Sequence, residues 1–339
     1  MTDAATDAVT DAATGAATDA VPDAATKAAS NATSDTSSVP AGPIFTRDGV
    51  HYVATSLARG PWDAGSCHGG APAALLAAAI DTAPSLVPMQ GVRLTYDLVR
   101  PVPLSVPLDL DVAIIREGRR IQVVDATLTV AADGTELVRC RGLRIRTTAD
   151  LGLPADRPVA EQPLPALPET LPRLAPAPGF DAEGFWTAVD VRLISGRLGD
   201  PGVGRGWFRV VAPLTDAIDA TDATDATDAT KAADATDAAH ATDATDATDG
   251  TPLTLTPLAR VAACGDFGNG IGAPLPMGPF RYVNPDLTID LHRLPVDEWV
   301  SLEARSVAEP HGIGLTTGTL GDRGGVLGTS LQSLFIDAG

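Results

Sequence analysis

The sequence predicts an α+β fold built twice, and three observations carry that. A heptapeptide recurs far along the chain. Each copy is followed by a run of strand-like segments, and each is preceded by one short apolar helix. Residues 94–100 read LTYDLVR and residues 287–293 read LTIDLHR, identical at five of seven positions at an offset of 193. Both copies then reach a Pro-Val pair, Pro101-Val102 and Pro295-Val296.

The elements around each copy follow from periodicity and turn residues. After the first copy come strand-like runs at 107–116, 120–131 and 136–147, separated by Glu117-Gly118 and Asp133-Gly134. After the second come runs at 298–307, 312–320 and 326–336, split at Gly312 and at 322–325. Each half is therefore expected to end in a four-strand antiparallel meander. Before the first copy, 69–82 (GGAPAALLAAAIDT) is small and apolar on every side, which predicts a helix buried all round. Before the second, 253–265 (LTLTPLARVAACG) predicts a helix with its apolar face through Leu258, Val261 and Ala262. A strand pair completes each half, within 45–57 in the first and at 185–195 with 204–214 in the second.

Composition shapes the core and the domain plan. Hydrophobic residues make up 44% of the 339, but aromatics only 4%, so the core must be mostly Ala, Val, Leu and Ile. The net charge of -19 is concentrated: residues 1–38 carry -5 and residues 215–250 carry -9, leaving -5 for the rest. A mildly acidic remainder has no basic field for nucleic acid. Both acidic tracts are low in complexity, and the Asp-Ala-Thr tract has a period of three, which suits neither helix stripe nor strand. A calcium array is disfavoured because the tracts lack Gly-shaped loops and a bidentate Glu. Eight prolines between Pro154 and Pro178 mark a semi-rigid linker. The expected plan is a disordered acidic tail over 1–43, a first module over 44–147, a linker over 148–182, and a second module over 183–339 interrupted by a disordered insertion at 215–250. Three cysteines without a CxxC pair, Cys67, Cys140 and Cys264, argue for a reducing, cytoplasmic compartment. No run of 18 apolar residues predicts a membrane span, and the N-terminus has no signal-peptide pattern.

Five separated segments carry a resemblance: GPWDAGSCHGGAPAALLAAAI and RLTYDLVRPVPL in the first half, then ARVAACGDFGNG, NPDLTIDLHRLPVDEW and GTSLQSLFI in the second. Together and in this order they resemble the double-hotdog acyl-CoA thioesterase-like family, and within it the acyl-CoA thioesterase II branch. The resemblance implies two fused halves, each an antiparallel sheet wrapped around a central helix, and a lipid-metabolic hydrolase that splits acyl-CoA into free acid and CoA. It implies no cofactor, and leaves open a homo-oligomer of double-hotdog chains. In that branch an Asp, a Thr or Ser, and a Gln hold the attacking water. Asp266 matches the Asp and Gln332 the Gln, while Asn284 stands where the hydroxyl residue should be, and Thr288 lies too late in the strand.

The residue types suit the chemistry. Thioester hydrolysis needs an activated water, a polarised carbonyl and an exit for the thiolate. A carboxylate at Asp266 can accept the water proton, and the amides of Asn284 and Gln332 can orient it. The bland reading of Asp266 is a loop Asp bonding the Gly268 or Gly270 amide, and of Gln332 a solvent-facing strand residue with Arg141 as first-half counterpart. His68, Gly69 and Gly70 precede the first helix and could let a thioester oxygen reach its N-terminus, as could Gly268 and Asn269 beside the second. Cys67 next to His68 is a poor nucleophile pair, since such partners are usually distant in sequence. Five His without HxH or HxxxH spacing give no metal site. Arg116, Arg119, Arg120, Arg139, Arg141, Arg144 and Arg146 are candidates for the CoA phosphates, each with the plainer role of a solvated strand face. Two other functions stay open: a catalytically weak acyl-CoA or lipid-binding hotdog, which the Asn284 departure would allow, and a hydroxyacyl-thioester dehydratase, which needs an acidic partner for His68, with Asp63 the nearest in sequence.

Overall fold

The computed structural model describes residues 40, 42–154, 166–175, 183–216 and 252–338. The acidic tail up to residue 39, about half of the Pro-rich linker and the Asp-Ala-Thr tract beyond Asp216 lie outside the described residues.

In chain order, strands β1 (Phe45–Asp48) and β2 (His51–Ala54) form a hairpin, followed by helix α1 (Gly70–Thr82) and strands β3 (Met89–Leu98), β4 (Pro107–Arg116), β5 (Ile121–Val130) and β6 (Glu136–Arg146). The second half runs α2 (Phe185–Ala188), β7 (Val189–Ser195), β8 (Gly204–Val210), α3 (Pro257–Gly265), α4 (Gly268–Ile271), β9 (Phe280–Val283), β10 (Asp286–Leu291), β11 (Val300–Ala308), β12 (Ile313–Asp322) and β13 (Gly325–Ala338). Twelve strands make one antiparallel path in the order β1-β2-β4-β5-β6-β3-β10-β13-β12-β11-β8-β7, with β9 beside β13.

The order reads as a palindrome about the β3–β10 junction, and the repeated heptapeptide lies at that junction. Thr95 pairs with Thr288, Tyr96 with Leu287 and Leu94 with Ile289, so the two copies hydrogen-bond to each other. The Arg that closes each copy ties its strand's end to the start of the strand behind it. Arg100 Nη1 donates to Glu136 O at 2.8 Å, and Arg293 Nη2 to Gly325 O at 3.0 Å.

Four expectations about elements are corrected. The four strands of each half are not a simple meander: β4-β5-β6 and β11-β12-β13 are meanders, but β3 and β10 pair with the last strand of each rather than the first. Hydrophobic alternation says which face a residue takes, not which neighbour its strand chooses. The second helix starts at Pro257, not at 253, because Pro is favoured at the first helical position and the Thr256 side chain accepts the Ala259 N–H as the cap. Residues 185–188 form one helical turn before β7. The counterpart of Gln332 is Gly142 rather than Arg141, since Thr95 pairs with Arg141 and its mate Thr288 with Leu331.

The core sits between the sheet and the two longer helices. α1 is buried from Gly70 through Ile80, as its all-round apolar sequence requires. It packs on β3 to β6, α3 packs on β8, β10, β11 and β12, and the two helices pack on each other. Their contact is close at the start of α1, where a Cβ on Gly70 would lie 2.6 Å from Ala263 O. That approach brings the N-terminus of α1 to the C-terminus of α3.

Candidate active site

Asp266 caps the C-terminus of α3 and is 5% exposed. Its two carboxylate oxygens have different surroundings. Oδ1 accepts from Asn284 Nδ2 at 2.9 Å and from Gln332 Nε2 at 3.2 Å. Oδ2 lies 3.1 Å from His68 Nδ1, across the contact between the helices. A Cβ on Gly69 would come within 2.8 Å of Oδ2, so this glycine keeps the approach to that oxygen open.

Asn269 closes the network. Its side-chain Nδ2 donates to Asn284 Oδ1 at 2.9 Å, and its backbone N–H donates to Gln332 Oε1 at 3.0 Å. Because each amide oxygen receives an N–H, each amide nitrogen must face the carboxylate, which fixes both orientations. Gly268 leaves no room for a side chain: a Cβ there would be 2.7 Å from Gln332 Oε1. Gln332 is buried, at 1% exposure, rather than solvent-facing. Asp266 bonds side-chain amides rather than the Gly268 or Gly270 N–H, and the Gly270 N–H goes to Phe267 O.

His68 is held from all sides. Its ring lies between Phe185 and Phe267, with centroids 4.9 and 4.7 Å away, and the His68 backbone N–H donates to Ala58 O at 2.8 Å. Nδ1 accepts the Gly70 N–H at 3.0 Å. The Gly69 N–H at the mouth of α1 has no hydrogen-bond partner among the described residues. Asp63 is not the partner of His68: its carboxylate is taken by Ser66 Oγ and the Gly65 N–H. Burial pushes the Cys67 thiol pKa well up, which disfavours the thiolate that a nucleophile needs.

These groups open onto a cavity of about 730 Å³ lined by His68, Gly69, Asp266, Asn269 and Asn284. Gln332, Gly70 and Gly268 stand behind that wall and do not line it. Its other walls come from both halves, including Leu98, Val102 and Val138 from the first and Val189, Val191 and Leu193 from the second. Such a largely apolar cleft with a few convergent polar groups is the usual form of a small-molecule site.

None of the seven arginines proposed for phosphates lines the cavity. Arg141 forms a fork with Asp125 at 2.7 and 2.6 Å, and Arg139 pairs with Glu136 at 2.7 Å. Arg144 is buried and donates to Ala83 O and Gln122 Oε1, both at 2.7 Å. Arg100, Arg173 and Arg197 reach the cavity instead. Arg100 was visible only as the end of the repeat, and Arg173 and Arg197 lie in loops with no motif. Among the described residues, no three His, Cys, Asp or Glu side chains converge on a metal-sized point. No helix among them is long and apolar enough to cross a membrane.

Two family models match the chain: the acyl-CoA thioesterase N-terminal domain over residues 58–149 and the acyl-CoA thioesterase C-terminal domain over residues 168–336. The chain belongs to the acyl-CoA thioesterase family. It is an acyl-CoA thioester hydrolase by that membership. Solved structures agree in fold. A putative thioesterase II from Thermobifida fusca YX covers 86% of this chain and 95% of its own at 17% identity, with a TM-score of 0.56. A putative thioesterase from Novosphingobium aromaticivorans DSM 12444 covers 86% and 98% at 21% identity, with a TM-score of 0.52. A protein with a hot dog fold from Alicyclobacillus acidocaldarius covers 87% and 96% at 18% identity, with a TM-score of 0.56. No curated protein matches the chain in sequence.

Proposed function

We propose that this thioesterase hydrolyses an acyl-CoA to the free acid and CoA, with water activated at Asp266. One observation carries the assignment: the carboxylate is fixed through Oδ1 by two amide donors, while Oδ2, whose one close polar neighbour among the described residues is His68 Nδ1 at 3.1 Å, belongs to a residue that lines the cavity. A carboxylate held through one oxygen at a cavity wall can take a proton through the other from a water held between it and a substrate. The Gly69 N–H, unpartnered at the start of α1, is the donor for the oxyanion. Asn284 supplies to Asp266 the donor that a hydroxyl residue would supply, so its departure from the family pattern keeps that hydrogen bond. Gln332 and Asn269 hold the carboxylate and Asn284 in place. The apolar walls take the acyl chain.

The architecture that goes with this reading is a double hotdog, with halves over 44–147 and 183–339 and central helices α1 and α3. The palindromic strand order supports it. So does the division of labour: His68 and Gly69 come from one half, Asp266, Asn284 and Gln332 from the other. One such site per chain is expected. The counterparts of Asn284 and Gln332 are Gly91 and Gly142, where a Cβ would meet Leu258 and Ile80 at 2.5 Å.

The test is thiol release from acyl-CoAs of increasing chain length, for the wild type and Asp266→Ala. Hydrolysis that drops by about 10³-fold or more in the variant is expected, since both proton acceptor and water position are lost. Wild-type binding without turnover would replace this reading by that of an acyl-CoA-binding protein. A second reading has one observation in its favour: the His68–Asp266 contact supplies the acidic partner that dehydration of a 3-hydroxyacyl thioester needs. Formation of an enoyl thioester from 3-hydroxyacyl-CoA, without thiol release, would establish it.

A further inference from the structure

We infer that His68 is a catalytic residue of this hydrolysis, its Nε2–H protonating the sulfur of the departing CoA. The inference rests on the hydrolase reading above and goes beyond it, since there His68 only shapes the site.

Nδ1 faces two groups, the Gly70 N–H at 3.0 Å and Asp266 Oδ2 at 3.1 Å; in the inferred resting state it accepts from Gly70 and the ring carries a hydrogen on Nε2. That nitrogen has no hydrogen-bond partner among the described residues, although His68 lines the cavity and its side chain is 14% exposed. A purely structural histidine would be expected to spend both nitrogens on the protein. The ring cannot swing away to find a partner, because Phe185 and Phe267 sandwich it. An N–H is thus held rigidly at the wall of the substrate cavity, near the carboxylate oxygen left for the water.

The same ring also joins the two ends of the reaction. Water attacks the thioester carbon, forming the C–O bond, while Asp266 Oδ2 takes its proton and the carbonyl electron pair moves onto oxygen beside the Gly69 N–H. On collapse that pair re-forms the carbonyl, the C–S bond breaks, and its electrons go to sulfur. The proton held by Asp266 first passes over the 3.1 Å gap to Nδ1, which gives up its bond from Gly70, and the imidazolium so formed gives its Nε2 proton to the sulfur. The products are the carboxylic acid and CoA-SH, Asp266 is again a carboxylate, and proton exchange with water restores the Nε2–H tautomer. No other reactant is needed.

A general acid matters only as far as the leaving group needs one. The experiment compares His68→Phe, which keeps an aromatic ring between Phe185 and Phe267, and His68→Gln, which keeps a polar group, on two thioesters of the same acid. One is the acyl-CoA, and the other is the 4-nitrobenzenethiol ester, whose thiolate leaves unaided. We expect kcat on acyl-CoA to fall by about 10²-fold or more in both variants, with the aryl thioester rate nearly unchanged. Equal losses on both esters would overturn the inference, leaving His68 a structural or positioning residue in a working hydrolase. A wild type that hydrolyses neither ester would overturn the hydrolase reading and this inference with it.

Discussion

In the proposed mechanism the side chains around Asp266 each do a separable part of the work, and substitution can take the parts one at a time. Asn284 donates to Oδ1 and accepts from Asn269. Asn284→Thr keeps a donor of the family type and is expected to stay within about tenfold of wild-type kcat, whereas Asn284→Leu, which leaves no donor, should lose about 10²-fold. Steady-state thiol release reads both. Gly69→Ala is the complementary case. The N-cap glycine has φ of -57° and ψ of -27°, which alanine adopts freely, so the backbone is not strained. The added methyl would instead press on Asp266 Oδ2 at 2.8 Å. Turnover is expected to fall about 10²-fold with the melting temperature nearly unchanged, because displacements of this size cost that much in a positioned site. Asp266, Asn284 and Gln332 were legible in the sequence because each sits in its own motif. The closure through Asn269 and the contact of His68 with Asp266 were not. They arise where two helix ends meet, and no spacing within either motif encodes that meeting.

Elements hold their places by a few buried polar ties as well as by apolar packing. Asp322, at the β12–β13 turn, is 1% exposed. It takes a two-pronged contact from Arg293 at 2.7 and 2.6 Å and accepts the Val296 and Gly324 N–H groups at 2.9 and 2.7 Å. Burial alone would raise its carboxyl pKa, but Arg293 and the two amides outweigh it and hold it below the ordinary value. A carboxyl with a depressed folded-state pKa adds stability above the unfolded-state value, and that stability is lost as pH falls through the folded-state value. Asp322→Asn is therefore expected to cost about 2–4 kcal/mol at neutral pH, as for breaking a buried pair whose cation is partly solvated. The gap between variant and wild type in denaturant unfolding should hold at neutral pH and close only in acid, below about pH 4. A gap that stayed constant into acid would assign the loss to packing instead. Arg293 was legible as the last residue of a repeat, and its mate Arg100 shows the same tie to the strand behind. The strand that each tie reaches was not legible, because hydrophobic alternation sets the face a residue takes and not the neighbour its strand pairs with.

At the scale of the molecule, the duplication places the β3–β10 pair at the centre of the strand order. The repeat was readable by eye, and its meaning as the central β3–β10 pair follows once the two copies must share an edge. The acidic tract lies far from that pair in sequence, and its two flanks are close together in space. Thr215 Oγ1 donates to Leu253 O at 3.1 Å, so the chain leaves and re-enters the fold at one point. Asp216 accepts the Arg47 N–H at 3.1 Å and fixes that point to β1. None of the cavity residues comes from the tract or its flanks. Replacing residues 217–251 by a five-residue Gly-Ser link is therefore expected to leave kcat on acyl-CoA unchanged. Shortening the closed loop about sevenfold should also stabilise the fold by roughly 1–2 kcal/mol, from the lower closure entropy of the shorter loop. Thermal unfolding and thiol release on the shortened chain check both halves of the expectation. A melting temperature lowered by several degrees would mean that the tract contributes contacts to the fold. Lost turnover at an unchanged melting temperature would mean that it reaches the cavity of the working enzyme.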